Sequence, residues 1–281
     1  MSGDRVHYLW RDPSVARSFR TAISLHSHTR QSKESLGFIP RYAKTIPGLS
    51  GLVQAQERKY ERVHGTQLDF DNAWWTPPLS PREAYELERN QIEQQLSLKA
   101  LVSLTDHDDI EAPMHLHVLS EMNEVPISVE WTVPYGASFF HVGVHNLPSK
   151  HAHATMEVLT AFTASPDETR LRGVFEMLAG YRSTLIVLNH PLWDEPGIGT
   201  DAHRALLNRF VANYRPYLHA AELNGLRSWN ENATVAQFSK EIGLPLISGG
   251  DRHGCEPNAN VNLTNASTFP EFVDEVRNNK L

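Results

Sequence analysis

Apolar and polar positions along this chain fall into two textures that alternate. Short runs rich in β-branched and other apolar residues, each ending in polar residues or glycine, predict strands at 21–28 (TAISLHSH), 100–107 (ALVSLTDH), 126–133, 138–147, 184–191 (TLIVLNHP), 219–225 and 244–253. Several are too continuously apolar for a sheet with one wet face, which favours buried parallel strands. Helix-like stretches separate most of them. Ser80-Pro81-Arg82-Glu83 has the form of a capping box with proline in the first turn and opens 81–98. Ser165-Pro166-Asp167-Glu168 repeats that signal ahead of 166–180, and further helices are expected at 201–213, 229–242 and 270–279. Alternation of this kind predicts an α/β fold built on a parallel sheet or barrel.

One interval breaks the rhythm. From His28 to Asp106 the chain is far longer than the roughly 30 residues of a strand–helix–strand crossing. The excess, 36–79, reads as an insertion within a single domain spanning 1–281. It is either a lid facing the substrate or a surface excursion without function. Trp74 and Trp75 inside it would stack on a base or sugar, or pack into the core.

Bulk properties narrow the chemistry. A formal charge of −7 argues against a broad nucleic-acid-binding face, while leaving room for a small phosphorylated substrate. Cys255 is the single cysteine, so any metal must be held by nitrogen and oxygen. The start lacks the apolar segment of a signal peptide and no later run reaches membrane-spanning length, so no membrane association and a cytoplasmic location are expected.

Histidine is the composition's peculiarity, at 15 of 281 residues, and position gives it meaning. The first strand ends in His26-Ser27-His28, whose rings would share one face of an extended chain. The second ends in Asp106-His107-Asp108. Glu130 sits late in the third and His141 within the fourth. His190 ends the fifth, Glu222 the sixth, and Asp251-Arg252-His253 the seventh. Collected at the carboxyl ends of the strands, where α/β sites assemble, these form one candidate site. A mixed set of imidazoles and carboxylates suits divalent Mn, Zn or Fe. Eight candidate ligands exceed the four of one tetrahedral ion, so two or three clustered ions fit better than one. Glu130 has two oxygens with which to bridge a pair, the arrangement suited to displacement at phosphorus.

In that order, LHSHT, LTDHD, VEWT…HVGVH, NHP and GDRH resemble the PHP (polymerase and histidinol phosphatase) superfamily over about 21–255, the insertion excepted. The resemblance implies a distorted (β/α)7 barrel with a trinuclear metal centre at its carboxyl rim, and hydrolysis of phosphate esters. It implies that His26, His28, Glu130 and Asp251 hold one ion. Glu130 would bridge to a second, held by His141 and His190, and His107 and His253 would belong to a third. Asp106 and Asp108 would orient His107. A hydroxide bridging two ions would attack phosphorus in line, with Glu130 and His253 as the catalytic residues.

The chain departs from the pattern after Ser32, where Lys33 replaces the usual aspartate. Glu34 is one residue late for that slot, and Lys33 would instead neutralise a substrate phosphate. Arg30 and Arg252, beside proposed ligands, would clamp phosphate oxygens or offset local negative charge. Two other readings stand: a metal-dependent hydrolase of carboxyl esters, carbamates or amides, and a non-catalytic, metal-stabilised binding module.

Overall fold

The computed structural model describes residues 6–9, 11–33, 36–70, 73 and 76–278, with side chains omitted at 38, 41, 42 and 45. Glu34, Trp74 and Trp75 lie outside the described residues. Each of the seven apolar runs contributes one strand: β1 Thr21–Ser24, β2 Lys99–Val102, β3 Val129–Tyr135, β4 Ser138–His145, β5 Leu185–Leu188, β6 Ala220–Asn224 and β7 Leu246–Gly249. An eighth, β8 Asn262–Thr264, pairs antiparallel with β1. The helices are α1 Phe38–Thr45, α2 Leu49–His64, α3 Pro81–Gln91, α4 Glu111–His117, α5 Ala152–Ala164, α6 Glu168–Gly180, α7 Thr200–Tyr214, α8 Trp229–Ile242 and α9 Phe269–Arg277.

Cap chemistry sets the helix starts. At Ser80 the capping box is complete: its hydroxyl accepts from Glu83 N at 3.4 Å, and its N–H donates to Glu83 Oε2 at 2.9 Å. At 165–168 the same four-letter signal resolves differently. Ser165 closes α5, its N–H donating to the carbonyls of Ala161 and Phe162. Asp167 takes over as N-cap of α6, accepting from Thr169 N at 2.9 Å. The stronger acceptor two residues later wins the cap.

Among the described residues the strands do not hydrogen-bond as one closed seven-stranded barrel. They form a five-stranded sheet in the order β3-β4-β5-β6-β7 and a three-stranded sheet in the order β2-β1-β8. Nor are all neighbours parallel, because β4 runs antiparallel to both β3 and β5. The cause lies in the Tyr135–Ser138 turn, where Gly136 at φ +62° supplies the positive φ of a tight hairpin and reverses the chain at once. β1–β2, β5–β6 and β6–β7 are parallel as expected.

The two sheets meet where their strands end. Isolated bridges join His107 to Glu130 and Ser27 to Arg252. Backbone bonds from Gly250 N to Leu25 O (2.9 Å), Asp251 N to His26 O (2.7 Å) and Glu130 N to Asp106 O (3.1 Å) extend these seams. A shared apolar cluster fastens the sheets further down, with Ile23 and Leu25 packing with Val187 and Ile247 over Phe269 and Phe272 of α9. The larger core lies outside the five-stranded sheet, where Trp131, Tyr135 and Phe140 meet Phe175 and Phe210 of α6 and α7.

The interval 36–79 carries α1 and α2, which pack on each other, and α2 buries none of its residues. It touches the strand ends at Thr76, whose hydroxyl donates to the His253 carbonyl. Neither helix is announced by a side-chain cap, since glycines stand at both N-cap positions.

Candidate metal centre

The scaffold bends sharply at the points that carry the ligands. β1 ends at Ser24, so His26 and His28 are not neighbours on one strand face. His26 instead adopts φ +65°, His190 φ +25° and Asp251 φ +56°. Three non-glycine residues in or at the edge of left-handed backbone at strand ends represent a local conformational cost, held by the surrounding structure. The turns swing the side chains inward, leaving the His26 and His28 rings 5.1 Å apart and tilted at 66°.

Glu130 is the hub, fully buried as the second residue of β3 and not late in that strand as the apolar pattern at 126–133 suggested, because the strand starts at Val129 and runs on to Tyr135. Its Oε2 lies 2.9 Å from His26 Nε2, 3.3 Å from His107 Nδ1 and 3.4 Å from His28 Nε2. Its Oε1 lies 3.1 Å from His190 Nε2 and 3.7 Å from His141 Nδ1, and accepts from Asn189 Nδ2 at 2.9 Å. Asp251 Oδ1 adds a second carboxylate oxygen, 3.3 Å from His28 Nε2, 3.5 Å from His26 Nε2 and 3.4 Å from His253 Nδ1. The donor atoms fall into three overlapping groups, each with all members within 4.8 Å of one another: His26, His28, Glu130 and Asp251; His107, Glu130 and His141; and His28, His107 and His253. Seven of the eight candidate ligands named from the sequence fall in these groups, and the eighth, His190, joins them through Glu130 Oε1 at 3.1 Å. His28 and His107 each stand in two groups.

Other residues fix these side chains. His26 Nδ1 donates to Glu222 Oε1 at 2.6 Å, so a cation that displaced the proton on Nε2 would meet its lone pair. Glu222 Oε2 accepts from His190 N and from Asn224 Nδ2, both at 3.0 Å, and Asn224 Nδ2 also donates to Asp251 Oδ2 at 3.0 Å. Asp106 holds Thr29 through its N–H (2.5 Å) and hydroxyl (2.7 Å), while Asp108 accepts from Thr132 N at 2.9 Å. Their contacts pin backbone around His107. Gly249 leaves space for Glu222, because a Cβ there would overlap Glu222 Oε1 and crowd His26 Cβ at 3.0 Å.

Electrostatics give the cluster its character. Burial alone would raise the carboxyls of Glu130 and Asp251, but the surrounding imidazoles outweigh it and hold both well below the usual carboxylate range. Burial would likewise depress His26 and His190; the carboxylates around them reverse the sign and raise both. For His28, His107 and His141 burial wins. His107 is pushed down to about 4, leaving neutral imidazoles at neutral pH. The His28 Nε2 atom is buried without a hydrogen-bond partner among the described residues. Ionised carboxylates, neutral imidazoles and an orphaned nitrogen pointing inward fit divalent cations, which accept lone pairs where no further proton donor is present.

Two residues expected to meet substrate are committed elsewhere. Arg252 is buried, donating from Nε to Glu88 Oε1 at 2.7 Å and from its terminal nitrogens to the carbonyls of Gly254 (2.7 Å) and His28 (3.0 Å). It is a structural clamp behind the cluster, with Glu88 also taking Ser24 Oγ and the Asn258 N–H. Lys33 donates to the Asp108 carbonyl at 2.9 Å and lies 3.5 Å from Asp109 Oδ2, with its side chain 58% exposed. It ties down the loop after β2 and does not enter the ligand groups. Arg30 is exposed, its N–H bonded to Leu79 O.

The sequence reading missed a wall on the β5 side. Phe139, Phe140, His141, Asn189, His190, Trp193 and Glu195 line a recess of about 10 Å³, room for one water. Burial raises the Glu195 carboxyl, against the pull of His190 and Arg227. Trp193 and Glu195 follow the strand at short range in an Asp/Gly-containing turn, where no periodic pattern marks them. His145, inside the strand expected at 138–147, is the buried last residue of β4, bonded to Ser103 Oγ at 2.8 Å.

No protein-family model and no curated protein sequence matches the chain. Among solved structures it is similar to an amidohydrolase from Chromobacterium violaceum with bound sulfate and no metal, at 14% identity and a TM-score of 0.52, over 90% of this chain and 96% of that one. It also matches a provisionally named metal-dependent phosphoesterase from Bifidobacterium adolescentis at 14% identity and a TM-score of 0.44, over 91% and 96% of the two chains. At this identity the first likeness establishes a shared fold, and the second adds nothing to it.

Two measurements check the packing around the cluster. Gly249→Ala forces Glu222 off His26 and is expected to lower the free energy of unfolding by about 1–3 kcal/mol, read by urea denaturation. An unchanged midpoint would mean that Glu222 is not held there. Burial pushes the His145 pKa down to about 3, so between pH 6 and 4 the unfolded chain takes up a proton that the folded chain refuses. Stability is full above about pH 6.5 and falls below it. The wild-type unfolding free energy should fall more steeply than that of His145→Gln across this window, by roughly 1.4 kcal/mol per pH unit. Equal slopes would place His145 in contact with water.

Proposed function

We propose that the chain is a metal-dependent hydrolase of phosphate esters of the PHP type, acting on a small phosphorylated molecule such as a nucleotide, sugar phosphate or cyclic phosphate. One observation carries the reading. The two oxygens of Glu130 face different imidazole sets, His26, His28 and His107 on one side and His141 and His190 on the other. A buried carboxylate placed this way can serve two neighbouring cation sites. His26, His28 and Asp251 would complete the first, His141 and His190 the second, and His107 with His253 a third. Two or three ions of Mn, Zn or Fe would supply Lewis acidity and a water whose pKa is lowered towards about 7.

The residues of the chain do the rest. Glu222 holds one His26 proton on Nδ1, so that with a cation bound Nε2 would be the lone-pair donor. Asn189 holds Glu130 Oε1 in place and Asn224 does the same for Asp251 Oδ2. With two ions bound and the third set empty, His253, 20% exposed at the rim and with its ring 4.2 Å from that of His28, would pass a proton to a departing alkoxide. Such a site would need no covalent enzyme intermediate.

A second reading keeps the cations and changes the bond, to a carboxyl ester, carbamate or amide. Lys33 favours it, because the group that stands in the family's aspartate slot faces the 108–109 loop and adds nothing to the third ligand set. The solved structure of shared fold is an amidohydrolase. One panel separates the readings: phosphomonoesters, phosphodiesters, carboxyl esters and amides offered to protein loaded with Mn, Zn or Fe. Phosphoester turnover is expected, abolished by chelation and reduced at least 100-fold in Glu130→Gln, roughly 3 kcal/mol of transition-state stabilisation. Turnover of carboxyl substrates alone would replace the first reading by the second. Turnover that survives Glu130→Gln would remove the cluster from the chemistry.

A further inference from the structure

With Arg252 and Lys33 committed to the scaffold, the site needs another cation if it is to recognise an anionic substrate. The loop after β6 holds one. Asn224, at the end of β6, accepts from Arg227 N (3.2 Å) through its carbonyl and from Leu226 N (2.9 Å) through Oδ1. Asn232 of α8 closes the turn, donating from Nδ2 to the carbonyls of Asn224 (2.9 Å) and Arg227 (3.3 Å). The backbone under Arg227 is thereby set before any ligand arrives.

Its side chain is equally constrained, and it is not saturated. The guanidinium carbon sits 3.8 Å from the Trp193 ring centroid, a cation–π contact that fixes the plane of the fork. Nη2 is 4.0 Å from Asp251 Oδ2, close enough for attraction and too far for a hydrogen bond. Nε is buried with no hydrogen-bond partner among the described residues. The side chain is 17% exposed, open at the edge of the cluster. A guanidinium carries five donors, and an anion with several oxygens is the group that would use those left over.

We propose that Arg227 is the anion-recognising residue of this site, taking a non-bridging oxygen of a substrate phosphate beside Asp251, with Trp193 as the platform that orients it. This rests on the phosphoesterase reading for its substrate. It also explains why a lysine would not substitute, since an ammonium neither stacks on Trp193 nor offers two parallel donors.

The test is calorimetric titration of inorganic phosphate into the metal-loaded protein, with metal content measured on the same samples. In Arg227→Gln the dissociation constant for phosphate should rise at least tenfold while metal content is unchanged. Arg227→Lys should recover only part of the loss, and Trp193→Leu should weaken phosphate about threefold. Unchanged phosphate affinity in Arg227→Gln overturns the proposal. So does loss of metal together with phosphate, because the arginine would then only neutralise Asp251. The two failures are distinguishable. Phosphoester turnover with an unaltered KM in Arg227→Gln sinks this inference and leaves the function standing. Phosphate binding through Arg227 without phosphoester turnover sinks the function and leaves the arginine's role.

Discussion

A carboxylate sealed among five imidazoles is the constraint on which this structure turns. Glu130 has no exposure and holds its charge. Taking such a charge out of water costs several kcal/mol unless opposite charge lies next to it. Without metal, raised pKa values at His26 and His190 supply protons as counter-charge. Arg252 contributes nothing here, being spent on Glu88. A divalent cation fulfils the same need with a single particle of higher charge, which is why the geometry reads as a binding centre rather than as a buried polar network kept for packing.

The rest of the architecture can be understood as what is needed to hold that arrangement. Backbone in the left-handed region at His26 and Asp251 carries a conformational cost, accepted because it turns ligands inward from the ends of different strands. The cross-sheet bonds at 25–28, 106–108 and 250–252 join the two sheets at the level of the ligands, so each sheet brings part of the set. Behind them Glu222, Asn189 and Asn224 use their hydrogen bonds to set ring and carboxylate orientation. Gly249 is absent of side chain where Glu222 must pass. On the proposed reading, recognition of the substrate would fall to the loops after β5 and β6, which carry no candidate ligand beyond His190.

Much of the site was legible because its chemistry lies on strongly patterned elements. Apolar runs located seven strands, and the residue types on and after them picked out His26, His28, His107, Glu130, His141, His190, Asp251 and His253, which the structure brings together. What the pattern could not carry was pairing direction and side-chain destination. The hairpin at Gly136 turns β4 antiparallel, and a buried apolar strand looks the same whichever way its neighbour runs. Arg252 stands between two ligands in sequence, yet its guanidinium points behind them to Glu88, a partner 164 residues away. Arg227 and Trp193 were invisible for the opposite reason, since they lie in turns with no period and meet only through the fold.

The central claim is that Glu130 serves two cation sites at once, and crystallographic anomalous scattering collected at the absorption edge of the bound metal tests it most directly. The account predicts at least two anomalous peaks, one beside each carboxylate oxygen of Glu130, the first shared with His26, His28 and Asp251 and the second with His141 and His190. A single peak away from Glu130, or none in protein supplied with Mn, Zn and Fe, would contradict it.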